Sequence, residues 1–88
     1  MKIIWDPPKR RANIAKHRFD FADLSEEFFA SALVRKSRLN RYQAIGEDVN
    51  GVISVVFAVL GLEGISVISM RPASSKERKL YREHQKSK

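Results

Sequence analysis

Apolar residues recur with helical spacing in the first third of the chain and with strand spacing through the middle, and the change falls near Ala32. Ile3-Ile4-Trp5 reads as a short strand. Asp6 can cap the helix that follows, with Pro7 or Pro8 in its first turn, where a missing N–H costs nothing. That helix is predicted over Pro8–His17, with Pro8, Ala12 and Ala15 as a small apolar face and Lys9, Asn13 and Lys16/His17 on another. Asp20 is a second N-cap, preceded by Phe19 as a hydrophobic staple. Phe21, Leu24 and Phe28 then repeat at i, i+3 and i+7, predicting a helix from Phe21 to Ala30 that buries an aromatic stripe.

Beyond Ala32 the pattern is a strand meander. Strands are predicted over Ala32–Ser37, Arg41–Gly46, Val52–Leu60 and Ile65–Met70, with Asn50-Gly51 as a hairpin signal and Gly61–Gly64 as a further turn. The last strand leads into Arg71 and Pro72, and a basic helix follows at once. Ser74 with Glu77 three residues later forms a capping box that marks its start. The order β-α-α-β-β-β-β-α predicts an α+β fold with an antiparallel sheet, two N-terminal helices and a C-terminal helix. Spacing this tight between strands disfavours parallel crossovers and doubly wound folds.

Charge changes the picture more than size does. The chain has 88 residues, which suits one domain over residues 1–88, and a formal charge of +7. The excess is concentrated at the end: Arg71 to Lys88 holds seven basic and two acidic residues. Such a segment suits a polyanion, an acidic protein partner or simple solvation. Cysteine is absent, so disulfides and thiolate metal sites are excluded, and a reducing cytoplasm is the natural setting. The start of the chain has no signal-peptide pattern, and the longest apolar run, Val52 to Leu62, is too short to span a bilayer. No membrane partner is expected.

The candidate chemistry is basic. His17 and His84 lie far apart and neither has a ligand at i+4, so no metal or other cofactor is expected. No glycine-rich phosphate loop or nucleophile elbow is present. Arg71 at the strand mouth and Arg78 in the helix can converge on one phosphate. Glu77 and Tyr81 at i, i+4, and Arg78 and Arg82 at the same spacing, can share that side. The alternative is equally physical: Glu77 caps the helix, Leu80 and Tyr81 pack on the sheet, and Arg78 and Arg82 are solvated. His17 ends the first helix, where the dipole favours a cation, or serves there as a structural cap. Arg41 can reach phosphate or pair with Asp48. Trp5 is core, a subunit contact or a base-stacking surface. Lys9, Asn13 and Lys16 read without further context as a solvated stripe. Arg, Lys, His, Glu and Tyr together suffice for RNA transesterification without a metal, although composition does not separate that from nucleic-acid binding.

Three ordered motifs resemble the BrnT family of type II toxins. They are Trp5-Asp6-Pro7-Pro8-Lys9 with Asn13, Lys16-His17, Phe19 and Phe21; Arg41-Tyr42-Gln43-Ala44-Ile45-Gly46; and Ile68-Ser69-Met70-Arg71-Pro72-Ala73 with Glu77-Arg78 and Tyr81. The resemblance implies a RelE-like, microbial-ribonuclease-like fold and an endoribonuclease that arrests growth by cutting RNA. It implies a BrnA-like antitoxin that neutralises the toxin, with operator DNA reached only through the antitoxin, and it is compatible with a dimer or a toxin–antitoxin heterotetramer. Carried over by motif, Arg71, Arg78, Glu77 and His17 are the candidate catalytic residues. Lys9, Arg41 and Tyr81, with Arg82 beside them, are the candidate RNA-binding residues. The chain departs from the family pattern at Arg18, where glycine is usual after the histidine, and in a short Ser37–Asn40 connection. A catalytically inactive binding module of the same fold is the alternative.

Overall fold

The strands and helices follow one another as β1 (Lys2–Trp5), α1 (Pro7–His17), a 3₁₀ turn (Phe21–Asp23), α2 (Glu26–Ser31), β2 (Leu33–Arg38), β3 (Arg41–Asp48), β4 (Gly51–Leu60), β5 (Gly64–Pro72) and α3 (Ser75–Lys86). This is a computed structural model, and it describes residues 1–87. The element order and the α+β class are those the sequence predicts. The sheet order is β1-β5-β4-β3-β2, and β2 to β5 are antiparallel neighbours. One expectation is corrected: the sheet is mixed, because β1 runs parallel to β5. Strand spacing excluded only parallel pairs between neighbours in sequence. Here the crossover is the long stretch from Asp6 to Glu63, which includes three strands of the same sheet.

The predicted second helix is also corrected. Leu24 is extended and closes the 3₁₀ turn, and Ser25 starts α2 afresh by accepting a hydrogen bond from the Phe28 N–H. Asp20 does cap the turn, accepting from Ala22. The Phe21, Leu24 and Phe28 stripe is buried all the same, with Ile53, Val55, Phe57, Val67 and Met70 on one face of the sheet. Trp5 packs edge-on to Phe21, and Tyr42 stacks on Phe57. Gly46 makes this packing possible, since a Cβ there would lie 2.8 Å from the Phe28 ring. The opposite face carries a smaller cluster of Ile45, Ala73 and Tyr81 beneath α3. At the β3–β4 hairpin the two-residue loop is Val49-Asn50. Gly51 takes φ 95° opposite Asp48, so the Asn50-Gly51 signal holds with the loop shifted by one residue.

α1 does not bury the predicted face. Pro8, Ala12 and Ala15 are exposed and Asn13 is buried. The reason lies at the edge of β5. β1 covers β5 only as far as Val67, which leaves Met70 at an open edge. The Asn13 side-chain amide takes the place of a strand there: Oδ1 accepts from the Met70 N–H at 3.0 Å, and Nδ2 donates to the Met70 carbonyl at 2.9 Å and to the Phe19 carbonyl at 3.1 Å. A buried backbone pair without such a partner would carry its full desolvation penalty. Arg10 anchors the same helix through a two-pronged ion pair with Asp20 at 2.7 Å. Arg18 ends α1 in the left-handed region, φ 63°, with its N–H on the Ile14 carbonyl. That conformation favours glycine, so Arg18 stands there at some cost in strain.

Asn13→Ala is therefore expected to destabilise the protein by about 2 kcal/mol, seen as a fall of roughly 10 °C in melting temperature. A fall of under about 2 °C in thermal unfolding followed by circular dichroism would refute the strand-substitute role.

Candidate nucleic-acid interface

The face of the sheet opposite the aromatic core is only half covered. Residues paired directly across antiparallel strands share a face. By that rule Arg41, Gln43 and Ile45 of β3, Val52, Ser54 and Val56 of β4, and Ser69 and Arg71 of β5 lie together. α3 covers the end of this face near Ile45 and Val52. The rest is open.

At the covered end, α3 begins on a polar frame. Ser74 Oγ accepts from the Glu77 N–H, and the Glu77 carboxylate accepts from the Ser74 N–H, which completes the capping box the sequence predicts. Arg71 makes a two-pronged ion pair to the same carboxylate, with Nη1 2.8 Å from Oε1 and Nη2 2.9 Å from Oε2. Gln43 Nε2 donates to Glu77 Oε2 at 2.8 Å and to Ser54 Oγ at 2.7 Å, and Gln43 Oε1 accepts from Arg35. The Glu77 oxygens thus take four donors, about all they can accept. The Arg71 guanidinium, and then the Ser74 N–H and the Gln43 amide, hold the Glu77 carboxyl down at about 2. It is ionised at neutral pH and has no proton to give.

Arg78 lies beside this frame, with Nη1 on the Ala73 carbonyl and Nη2 on Ser75. Arg71, Glu77 and Arg78 are therefore brought together at the start of α3. Tyr81 is 5% exposed; its ring packs with Ile45 and Ala73, and its hydroxyl is bonded by the Gln85 amide. That burial denies the ring a stacking role on RNA. Arg82 is exposed on α3.

At the open end, two shallow grooves meet over β5. One, of about 220 Å³, is lined by Lys9, Ala12, Asn13, Lys16, His17, Ile68 and Ser69. The other, of about 230 Å³, is lined by Ser37, Arg38, Arg41, Val56, Ile68 and Ser69. Ile68 and Ser69 floor both. Lys9, His17 and Arg41 thus fall along one trough. Ser69 stands two residues from Arg71 on the same strand face, about 7 Å along β5. Among the described residues no acidic side chain lines the trough, and the side chains of Lys9, Lys16, His17, Arg38 and Arg41 make no hydrogen bond or ion pair. Arg41 does not pair with Asp48, because the two stand at opposite ends of β3, and Asp48 instead bonds Asn50. No group of three or more potential metal ligands occurs among the described residues. Two larger concavities lie at the corner of Met1, Glu63 and Gly64, away from this face. Sequence reasoning missed Gln43 and Ser54. The signal for Ser54 was a lone polar residue in the otherwise apolar β4.

A family model described as the ribonuclease toxin BrnT of type II toxin–antitoxin systems matches residues 5–77. The chain belongs to the BrnT family. A crystal structure of the Brucella abortus ribonuclease toxin BrnT is similar at 56% identity and a TM-score of 0.80, over 85% of this chain and 99% of that one. No curated protein matches the chain. The three BrnT motifs now have places: the first builds β1 and α1, the second β3, the third the junction of β5 and α3. All three border the trough and its frame.

The Glu77 carboxyl titrates well below its ordinary 4.5 in the folded protein. Its contribution to stability is therefore complete above pH 4.5 and lost as pH falls toward 2. Glu77→Gln removes that contribution and leaves Arg71 half-paired, so the variant is expected to be less stable at pH 7 by about 1–3 kcal/mol. The gap to the wild type should narrow as pH is lowered from 5 to 2. A gap in denaturant midpoint that is constant over that range would overturn the assignment.

Proposed function

We propose that this BrnT-family chain is a metal-independent endoribonuclease that cuts RNA, messenger RNA foremost, and arrests growth until a BrnA-like antitoxin covers it. The observation that carries the reading is the trough free of acidic side chains, with unpaired Lys9, His17 and Arg41 along it and the Arg71–Glu77–Gln43 frame at its end. In the reaction the RNA 2′-oxygen bonds to the adjacent phosphorus as a base takes its proton. The bond to the 5′-oxygen breaks as that oxygen is protonated, leaving a cyclic phosphate and a free 5′-hydroxyl. His17, half-buried on the trough wall, is the group that moves a proton. Lys9 and Arg41 hold phosphates. Arg71 keeps its Nε–H, and Arg78 its own, to stabilise the charge that develops on the non-bridging oxygens of the pentavalent phosphorane. Glu77 is a positioning residue: with its oxygens occupied it acts by aiming Arg71. Arg82 adds charge on the exposed side of α3, and Tyr81 supports that helix from below.

The antitoxin reading follows from the family and from the net charge of +7, which suits an acidic covering segment. The complex is proposed to repress its own operon through the antitoxin's DNA-binding domain, in the cytoplasm where messenger RNA is exposed. A dimer or a heterotetramer is compatible with that arrangement.

Expression without antitoxin is expected to arrest growth and deplete RNA for the wild type only. His17→Gln should lower cleavage about 10²–10⁴-fold, and Arg71→Ala/Arg78→Ala should abolish toxicity while the circular dichroism spectrum stays that of a folded chain. Cleavage by purified protein should persist in EDTA. Harmlessness of the wild type would refute the active-toxin reading, and loss of cleavage in EDTA would refute metal independence.

A further inference from the structure

We propose that Arg38 and Arg41 form a two-arginine clamp for an RNA phosphodiester, at the end of the trough away from α1. This rests on the reading of the trough as an RNA site. Arg38 carries it, and three observations meet at that residue. First, Arg38 stands directly opposite Arg41 across the β2–β3 hairpin. Like charges so placed repel, and among the described residues neither has an acidic partner. Second, β2 carries an extra residue, Ser37, between the pairs Lys36↔Tyr42 and Arg38↔Arg41. In a regular strand Arg38 would share the face of Lys36, beside Tyr42 and the aromatic core. The bulge turns Arg38 to the open face instead. Third, β5 bulges at Ile68, which has no partner between the pairs Val56↔Ser69 and Phe57↔Val67. Both bulges line the same groove as the two arginines.

The other arginines near this face have structural work. Arg35 is bonded to Gln43, Arg71 to Glu77, and Arg78 to the Ala73 carbonyl. Among the described residues, the arginines Arg38 and Arg41 stand opposite each other without an acidic partner. An anion between two guanidiniums converts that repulsion into two charge-assisted contacts. A single strand then runs from the Lys9–Lys16–His17 wall, over Ile68 and Ser69, to the clamp.

The test uses a 2′-O-methyl oligoribonucleotide, which has no free 2′-hydroxyl to attack with and reports binding alone. Affinity is measured across salt concentrations for the wild type, Arg38→Glu, Arg38→Gln and a control, Lys79→Glu, on exposed α3. Arg38→Glu is expected to weaken binding about tenfold or more and to reduce the slope of log K against log salt by about 1.4. Arg38→Gln should reduce the slope by about 0.7 and raise the melting temperature by about 1–5 °C, because the opposed charges are gone. A purely structural arginine would lower the melting temperature instead. The proposal is overturned if both Arg38 variants bind like Lys79→Glu, if their loss follows a fall in melting temperature, or if they lose antitoxin binding while RNA binding is unchanged. If Arg38→Glu misfolds, Arg38→Gln decides by the same criteria. Arg38-dependent binding in a protein that leaves unmethylated RNA intact would support the clamp while refuting cleavage.

Discussion

The Glu77 carboxylate ties the first turn of α3 to the sheet, and the open face takes its shape from that tie. Its four donors come from three elements: the helix start itself, Arg71 of β5 and Gln43 of β3. Gln43 extends the link to Ser54 of β4 and Arg35 of β2. One charged group, placed by a capping box, thus connects side chains of four strands under one helix end, two directly and two through Gln43. A half-buried ion pair gains little by itself, since desolvation offsets part of the attraction. Here the remaining acceptor sites are filled by neutral donors, which is the condition under which such a pair stabilises. It also restricts what the pair can do chemically, because a carboxylate saturated with donors neither gives nor readily takes a proton.

The other wall of the trough depends on a different device. β1 is too short to cover the edge of β5, and Asn13 completes it by imitating a strand with one side chain. α1 is thereby fixed along that edge, although its small apolar residues face outward. Lys9, Lys16 and His17 stand on the helix so fixed. Two bulges, at Ser37 and Ile68, then give the open face its local form. The core lies on the opposite face and is of ordinary aromatic packing. The two functions of the sheet are separated by the alternation of its strands.

Much of this was legible in the chain. The capping box at Ser74 and Glu77, the aromatic stripe, the four-strand meander and the element order all follow from spacing, and they appear as expected. The parallel pairing of β1 was not legible, because pairing between chain ends leaves no local pattern. The break at Leu24 was missed because the helical spacing of the phenylalanines is satisfied equally by two short segments separated by a cap. Asn13 read as a solvated stripe, since nothing in sequence reports an open strand edge 57 residues away. Tyr81 fits the α3 spacing both as core and as ligand contact, and burial alone separates the two. Arg38 escaped notice because a bulge changes the face of a residue without changing its place in the pattern.

The arginines divide the molecule into what is settled by folding and what is left unsettled. Arg10, Arg35, Arg71 and Arg78 are bonded within the chain, and the proposed roles of Arg71 and Arg78 in the reaction use only the N–H groups those bonds leave over. Arg38 and Arg41 stand opposite each other across the β2–β3 hairpin, and among the described residues neither has an acidic partner. A small domain has little stability to spare, so a retained repulsion must be weighed against what relieves it. Any anion that binds there in the folded state alone adds stability as RT ln(1 + c/Kd), where c is its free concentration. An RNA strand and an acidic protein segment would each supply that anion, and both would compete for the same two guanidiniums. On this view the clamp links the two proposed partners of the protein: whatever neutralises Arg38 and Arg41 stabilises the fold and closes the trough at once.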